Sequence, residues 1–150
     1  MTMWSIKKFD ELSTKELYAI LKERTDVFVV EQACPYPELD GKDFVSYHLF
    51  KEQDGEIVAY LRVLPAGVSY DEASIGRVLV KQNYRGQGLA QQLLKKALRF
   101  LEDELHETTI KIQAQDYLRK FYGSFGFEVI SETYLEDDIP HVLIVLASHY

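Results

Sequence analysis

The part of the chain that most constrains its fold runs from residue 74 to residue 105. Residues 74–80 are mostly apolar and β-branched, which is typical of a buried strand. A turn with two glycines follows at residues 85–90. Beyond it, apolar side chains recur at helical spacing: Leu89, Leu93, Leu94, Ala97, Leu98, Leu101 and Leu105. The pattern predicts a strand, a tight turn and a long helix that packs on a core.

The glycine turn at residues 85–90 has the features of an anion-binding site. The first N–H groups of a helix have no partner within it and lie at the positive end of its dipole. Gly86 and Gly88 leave these groups open to a ligand, and Arg85 adds a positive charge. The spacing matches neither a P-loop nor a G-x-G-x-x-G motif. We expect a phosphate or pyrophosphate here, and the alternative is a turn with a purely structural role.

The first third of the chain predicts a strand, a helix and a long loop. Residues 4–9 form the expected strand, and Ser13 with Glu16 has the spacing of a capping box, which predicts a helix start. The β-branched residues at 27–30 are expected to end that helix. Residues 31–43 contain prolines and acids without apolar periodicity, so they predict a loop of a length that is often functional.

The rest of the chain predicts a mixed α/β fold in one domain over residues 1–150. Expected strands at 47–51 and 56–64, joined by a hairpin at Asp54-Gly55, form an antiparallel meander with 74–80. A strand at 108–114 after the long helix completes a central βαβ unit. A short helix at 116–124, strands at 127–134 and 141–147, and an acidic loop at 135–140 follow. We expect one mostly antiparallel sheet flanked by helices.

Composition narrows the classes of function. At 150 residues and 47% hydrophobic content, the chain is long enough for one core that needs no metal. Cys34 is the single cysteine, and no Cys/His cluster has metal-ligand spacing, so we expect no metal and a reducing compartment. We predict a cytoplasmic protein without a membrane segment. The net charge of −7 argues against nucleic-acid binding and favours cationic partners.

Two spaced motifs resemble a known family. Arg85-x-x-Gly88-x-Ala90, between an apolar strand and a Leu-rich helix, resembles the acetyl-coenzyme A motif of the GNAT N-acetyltransferase superfamily. Gln115, Tyr122 and Gly126-Phe127 are similar to that family's Asn, Tyr and Gly-Phe block, with Gln in place of the usual Asn. The predicted order of elements is also GNAT-like. More narrowly, five segments of the chain resemble the ElaA-type branch of acetyltransferases: VFVVEQACPYPELDGKD, IGRV, IQAQ, FYGSFGF and EDDIPH.

The resemblance implies a GNAT-type N-acetyltransferase that moves an acetyl group from acetyl-CoA directly to a primary amine in a ternary complex. The residues that it assigns to acetyl-CoA are Val78, Leu79, Val80, Arg85, Gly86, Gln87, Gly88, Leu89, Ala90, Gln115 and Tyr122. The acceptor is expected to be a small-molecule or peptide amine, and a homodimer is left open. Gln115 holds the pantetheine amides in this reading, and the alternative is that it caps the strand end.

Candidate catalytic groups follow from the chemistry of acetyl transfer. The leaving group is a thiolate whose conjugate thiol has a pKa of about 8.5. The phenol of Tyr122, with a pKa of about 10, can therefore protonate it. The alternative for Tyr122 is a core aromatic. An amine of pKa about 10 must lose a proton to a base. The candidate bases are Glu31, His48, Glu136, Asp138 and His141, of which Glu31 and His141 are assigned the catalytic role. Arg77, His48, Glu136 and Asp138 are assigned to the acceptor, although each is also consistent with a solvated or structural side chain.

The charge pattern predicts a cation-attracting cleft between two acidic segments, residues 31–43 and residues 136–138. Solvated acidic surfaces are the alternative reading. Cys34 has no activating neighbour, which disfavours an acetylated cysteine intermediate.

Two further functions stay open. Arg24, Phe28 and the acids after them resemble the front end of acyl-homoserine-lactone synthases, and a non-catalytic acyl-CoA sensor is the second alternative.

Overall fold

The computed structural model describes residues 3–147. Its strands are β1 Met3–Lys8, β2 Tyr47–Gln53, β3 Glu56–Leu64, β4 Ser74–Val80, β5 Thr109–Gln115, β6 Glu128–Val129, β7 Tyr134–Glu136 and β8 Ile139–Ala147. Its α-helices are α1 Thr14–Arg24, α2 Leu89–Asp103 and α3 Arg119–Gly123. A π-helix, Thr25–Glu31, continues α1, and short 3₁₀ turns occur at Phe9–Glu11, Lys42–Val45, Gln82–Tyr84 and Asp116–Leu118.

The strands form two four-stranded sheets rather than the single sheet that the sequence predicts. The first has the antiparallel order β1-β2-β3-β4, and the second has the order β5-β8-β6 with β7 also paired to β8. The sheets meet at a parallel bridge between Ala73 and Ile110, where the Lys111 N–H donates to the Ala73 carbonyl at 2.9 Å. Within residues 3–147 no other backbone pairing joins β4 to β5, so the two strands separate beyond the bridge.

A bulge in β4 reverses the direction of its side chains. Tyr60 of β3 pairs with Leu79 and Arg62 pairs with Gly76, so one β3 residue faces two β4 residues. Arg77 lies at the bulge with a left-handed φ of 53°. Because one extra residue exchanges the two faces of a strand, Ile75 packs in the core under α2 while Leu79 packs in the core beside α1. Regular alternation would place Ile75 and Leu79 on the same face of the strand, and the bulge at Arg77 breaks it.

The long helix α2 confirms the periodic pattern. Its apolar stripe is buried against the first sheet: Leu89, Leu93, Leu94, Ala97 and Leu101. It ends at Asp103, slightly before the Leu105 expected from periodicity. The helix thus holds the glycine turn rigidly at the end of β4.

The predicted capping box is present, but the predicted end of the first helix is wrong. The Ser13 Oγ accepts a hydrogen bond from the Glu16 N–H at 3.0 Å, and the Glu16 carboxylate accepts one from the Ser13 N–H at 2.8 Å. The β-branched residues at 27–30 do not end the helix, since the chain continues as a π-helix to Glu31. π-Helical turns of this kind are frequent at functional sites.

The last third of the chain contains more strands than the sequence predicts. The expected strand at 127–134 is reduced to the two residues of β6, and the expected loop at 135–140 contains most of the β7–β8 hairpin. The hairpin turn consists of Asp137 and Asp138, which both have positive φ values, 53° and 63°. Aspartate tolerates this conformation better than most residues, so an Asp-Asp pair was the missed signal for a tight turn.

Candidate active site

The separation of β4 from β5 opens a cleft of about 780 Å³. Both strands line it, together with the π-helix, the loop at 31–43 and the β7–β8 hairpin. Its lining includes these residues predicted from sequence: Glu31, Arg77, Val78, Leu79, Val80, Arg85, Gln115, Tyr122, Glu136 and His141. Most of the predicted donor, acceptor and catalytic residues therefore border one space.

The glycine turn approaches this cleft through Arg85. Gly86 and Gly88 have φ values of 81° and 80°, which are accessible to glycine at little cost. Gly88 precedes the first residue of α2, and no side chain caps that helix start. Its N–H groups are therefore available to an anion. Gly86, Gln87, Gly88, Leu89 and Ala90 do not line the cleft itself, and Leu89 is a core residue.

Arg85 and Glu31 are paired with each other. The two terminal nitrogens of the Arg85 guanidinium donate to the Glu31 carboxylate at 2.7 and 2.9 Å, and its Nε donates to the Val80 carbonyl at 2.9 Å. The hydrogen bonds from Arg85 hold the pKa of Glu31 below its usual range. Glu31 is therefore ionised at neutral pH and is a weaker base than an unpaired carboxylate.

Tyr122 projects from α3 with its ring buried. Its ring has edge contacts with Phe121 and Phe127, at centroid distances of 5.2 and 5.8 Å. Burial, together with the nearby Tyr117, raises the pKa of Tyr122 to about 12. Within residues 3–147 its hydroxyl makes no hydrogen bond, although the residue lines the cleft. Tyr122 therefore presents a protonated donor that is not already engaged.

His141 and Gln115 lie next to each other on adjacent strands, at the end of the second sheet that borders the cleft. They are direct partners in the antiparallel pairing of β5 with β8. The His141 Nδ1 lies 2.6 Å from the Ile139 carbonyl oxygen. A carbonyl only accepts, so Nδ1 carries a proton, and in the neutral imidazole the lone pair is then on Nε2. Gln115 donates to the Gln32 side chain at 3.5 Å, which fixes its amide near the π-helix end.

The loop at 31–43 is not a free acidic border, contrary to the prediction. Glu38 accepts from Arg24 at 2.8 Å and from Arg77 at 2.7 Å. Asp43 accepts from Arg24 at 2.7 Å, and Asp40 accepts from Arg62 at 2.6 Å. This set of residues, Arg24, Arg62, Arg77, Glu38, Asp40 and Asp43, is called the arginine network below. The arginines come from α1, β3 and β4, so sequence spacing could not show that they neutralise the loop.

Two predicted acceptor residues have other roles in the fold. His48 is 1% exposed, hydrogen-bonded to the Tyr60 hydroxyl at 2.7 Å and the Asp43 carbonyl at 3.0 Å, and does not line the cleft. Burial is the main cause that lowers the pKa of His48. Asp138 accepts from the Tyr36 hydroxyl at 3.0 Å, so it ties the loop at 31–43 to the β7–β8 turn. His48 is thus a core residue and Asp138 a link between loops.

Several residues that line the cleft were not among the predicted site residues, and Lys42, Ser69 and Tyr70 are three of them. Ser69 and Tyr70 lie in the connection between β3 and β4, which carries no recognisable motif. The connection is recognisable as part of the site only because it lies opposite the loop at 31–43. That position depends on the tertiary structure.

Two negative observations apply to the described residues. No group of three or more His, Cys, Asp or Glu side chains among residues 3–147 is placed to hold a metal ion. In the same part of the chain, no helix combines the length and the apolar character that crossing a bilayer requires.

Comparison with known proteins places these features in a family. Residues 11–147 match the model of the acetyltransferase (GNAT) domain. Protein ElaA of Escherichia coli is 40% identical over 144 residues, which cover 95% of this chain and 94% of that protein.

Solved structures agree with this assignment. The crystal structure of an acyl-CoA N-acyltransferase from Pseudomonas aeruginosa has a TM-score of 0.93 at 44% identity, covering 98% of this chain and 100% of that one. The structure of Escherichia coli ElaA has a TM-score of 0.90 at 38% identity, covering 97% and 99%. The synthase LasI, which covers 98% of this chain and 90% of its own at a TM-score of 0.78 and 15% identity, shares the fold alone. The chain therefore belongs to the GNAT acetyltransferase family and is an acyltransferase.

Proposed function

We propose that the protein transfers an acetyl group from acetyl-CoA directly to a primary amine. The observation that carries the proposal is that one cleft is lined by Arg85 at the start of the glycine turn, by the protonated phenol of Tyr122 and by His141, whose Nδ1 is bonded to a carbonyl. The Pseudomonas aeruginosa relative, named as an acyl-CoA N-acyltransferase, supports transfer to nitrogen.

Acetyl-CoA binding is proposed at the free edge of β4 and the start of α2. Beyond the Ala73 bridge, the edge of β4 that faces β5 has no strand partner among residues 3–147, so backbone groups at residues 78–80 can pair with the pantetheine amides. The pyrophosphate then lies at the uncapped N–H groups of α2. Arg85 precedes the first residue of α2 by four positions, and we propose that it contacts the pyrophosphate once its guanidinium leaves Glu31.

The proposed chemistry takes two protons from the acceptor ammonium group and gives one proton to sulfur. The ammonium group loses its first proton to His141 Nε2, directly or through a water, and the freed lone pair on nitrogen attacks the thioester carbonyl carbon. The nitrogen of the resulting tetrahedral intermediate loses its second proton to solvent water. When the tetrahedral intermediate collapses, the C–S bond breaks and the electron pair goes to sulfur. Tyr122 donates its proton to that sulfur, so the products are an amide and the CoA thiol. Tyr122 then takes a proton from solvent. His141 releases to solvent the proton that it accepted from the acceptor.

The pairing of Arg85 with Glu31 allows a test of the donor site with opposite outcomes. We expect Arg85→Gln to weaken acetyl-CoA binding about tenfold, since a charge-assisted contact to phosphate is lost. Glu31→Gln releases Arg85 and should strengthen binding about two- to fivefold, the amount expected for an exposed ion pair. Calorimetric titration with acetyl-CoA measures both. Equal affinities in the wild type and both variants would contradict the proposed donor site.

Direct transfer predicts that the cysteine is dispensable. We expect Cys34→Ala to keep kcat for CoA release within about twofold of the wild type. Among residues 3–147, the one hydrogen bond of the Cys34 thiol goes to the Asp137 carbonyl oxygen at 3.7 Å, and a carbonyl does not activate a thiol. Mass spectrometry of the wild type mixed with acetyl-CoA alone provides the control. An acetyl-Cys34 adduct that transfers its acetyl group to an amine would overturn direct transfer.

A further inference from the structure

Three charged side chains of the cleft lining make no salt bridge within the part of the chain that the structure describes: Lys42, Glu136 and Asp137. The arginines of the lining are paired, Arg62 and Arg77 in the arginine network and Arg85 with Glu31. A ligand in the cleft therefore meets one uncompensated cation and two uncompensated acids of the β7–β8 hairpin. Two of these groups, Lys42 and Glu136, have opposite charges and lie near residues 69–70.

Both groups border the β3–β4 connection. The Lys42 ammonium donates to the Ser69 Oγ at 3.0 Å, and Ser69 still has its own O–H to donate. Glu136 lies on the other side, near Tyr70. Burial raises the pKa of Tyr70, and Tyr134 and Glu136 raise it further, as expected of a nearby carboxylate. Lys42 with Ser69 and Glu136 with Tyr70 thus flank adjacent residues of one turn.

Glu136 also shares a face with the proposed base. In the β7–β8 hairpin, Tyr134 pairs with His141, and its ring is stacked on the imidazole at a centroid distance of 6.4 Å. Glu136 is two residues from Tyr134, so it is the diagonal neighbour of His141 on the same side. An ammonium group held by Glu136 would therefore lie within reach of His141.

We propose that the natural acceptor is an amine that also carries a carboxylate, such as an amino acid or a short peptide. Glu136 attracts the ammonium group beside His141, and the Lys42 ammonium with the Ser69 hydroxyl binds the carboxylate. This inference rests on the proposed acetyl transfer and specifies its acceptor. It differs from the cationic amine that the acidic loops predict, because the arginine network neutralises Glu38, Asp40 and Asp43 and leaves Lys42 as an unpaired cation.

The test uses pairs of amines that differ at the carboxylate. L-phenylalanine is compared with phenethylamine, L-lysine with cadaverine, and glycylglycine with glycylglycine amide, each with acetyl-CoA and detection of the released thiol. For at least one pair, the wild type should show a kcat/KM about tenfold or more higher for the carboxylate member. Lys42→Gln should bring that ratio close to one. Glu136→Gln should raise KM for both members.

A matched control is Lys15→Gln, which removes an exposed lysine of α1 that has no salt bridge among residues 3–147 and should leave the ratio unchanged. Turnover without a preference for carboxylates, or a ratio that Lys42→Gln does not lower, overturns this inference and leaves the proposed function intact. Absence of thiol release with every amine, despite calorimetric binding of acetyl-CoA, rejects the proposed transfer and the inference with it.

Discussion

Tyr122→Phe is expected to lower kcat by about 100- to 1,000-fold and to leave the affinity for acetyl-CoA within about twofold. The substitution removes one oxygen and keeps the ring that packs on Phe121 and Phe127. The departing thiolate would then have to take its proton from water. Because burial raises the pKa of Tyr122 to about 12, the phenol is protonated throughout the neutral range, which is the state that a general acid requires.

Tyr117→Phe is the matched control for this experiment. Tyr117 also lines the cleft but is 75% exposed, so its hydroxyl is a solvated group. We expect kcat of this variant to stay within about threefold of the wild type. Initial rates of thiol release, and urea unfolding of each variant, separate catalysis from stability. Full activity of a folded Tyr122→Phe protein would make Tyr122 a core aromatic and would assign the proton to another donor.

Arg24→Met is expected to reduce the free energy of unfolding by about 3–5 kcal/mol. Arg24 is 1% exposed, and its guanidinium donates to Glu38 and Asp43 at 2.8 and 2.7 Å. Methionine fills part of the space but leaves two carboxylates with fewer partners, one of them largely buried. Lys22→Met is the control on the same helix. Lys22 is an exposed side chain that pairs with Asp26 at 2.9 Å and more loosely with Glu23 at 3.8 Å, so its loss should cost about 0.5 kcal/mol.

The arginine network also predicts how stability depends on pH. Burial raises the pKa of Asp43, but the Arg24 and Arg62 guanidiniums outweigh it and hold the pKa below its usual range. The stabilisation is therefore complete above the unfolded pKa of about 3.9 and is lost as the pH falls through the folded value. Urea unfolding between pH 7 and the acid limit should show a shallower loss in Arg24→Met. If Arg24→Met lowered the free energy of unfolding at pH 7 by less than about 1 kcal/mol relative to the wild type, the role of the network would be contradicted.

Local features of the fold were predictable from sequence, whereas features that depend on distant segments were not. The α2 stripe, the capping box at Ser13 and the glycine turn arise from neighbouring residues, so spacing predicts them. The bulge at Arg77 carries no local signal, because a left-handed arginine is stabilised by its surroundings rather than by its own preference.

The same distinction applies to the candidate site. Arg85 and Tyr122 lie within motifs, and the sequence placed both beside one cleft. The pairing of Arg24 with Asp43 joins residues of a helix and a loop that look like ordinary charged surface positions, so the charge of the cleft was misjudged. The cleft itself results from the separation of two strands whose sequences are typical of a continuous sheet.

The bulge in β4 makes the length of this strand a constraint in its own right. Ile75 and Leu79 reach opposite cores only because one extra residue lies between them. Loss of that residue would restore regular pairing with β3. The side chains of one half of the strand would then point to the opposite face of the sheet. Among related chains, substitutions within β4 should therefore be common, whereas insertions and deletions should be absent. At this place the number of residues carries more information than their identity.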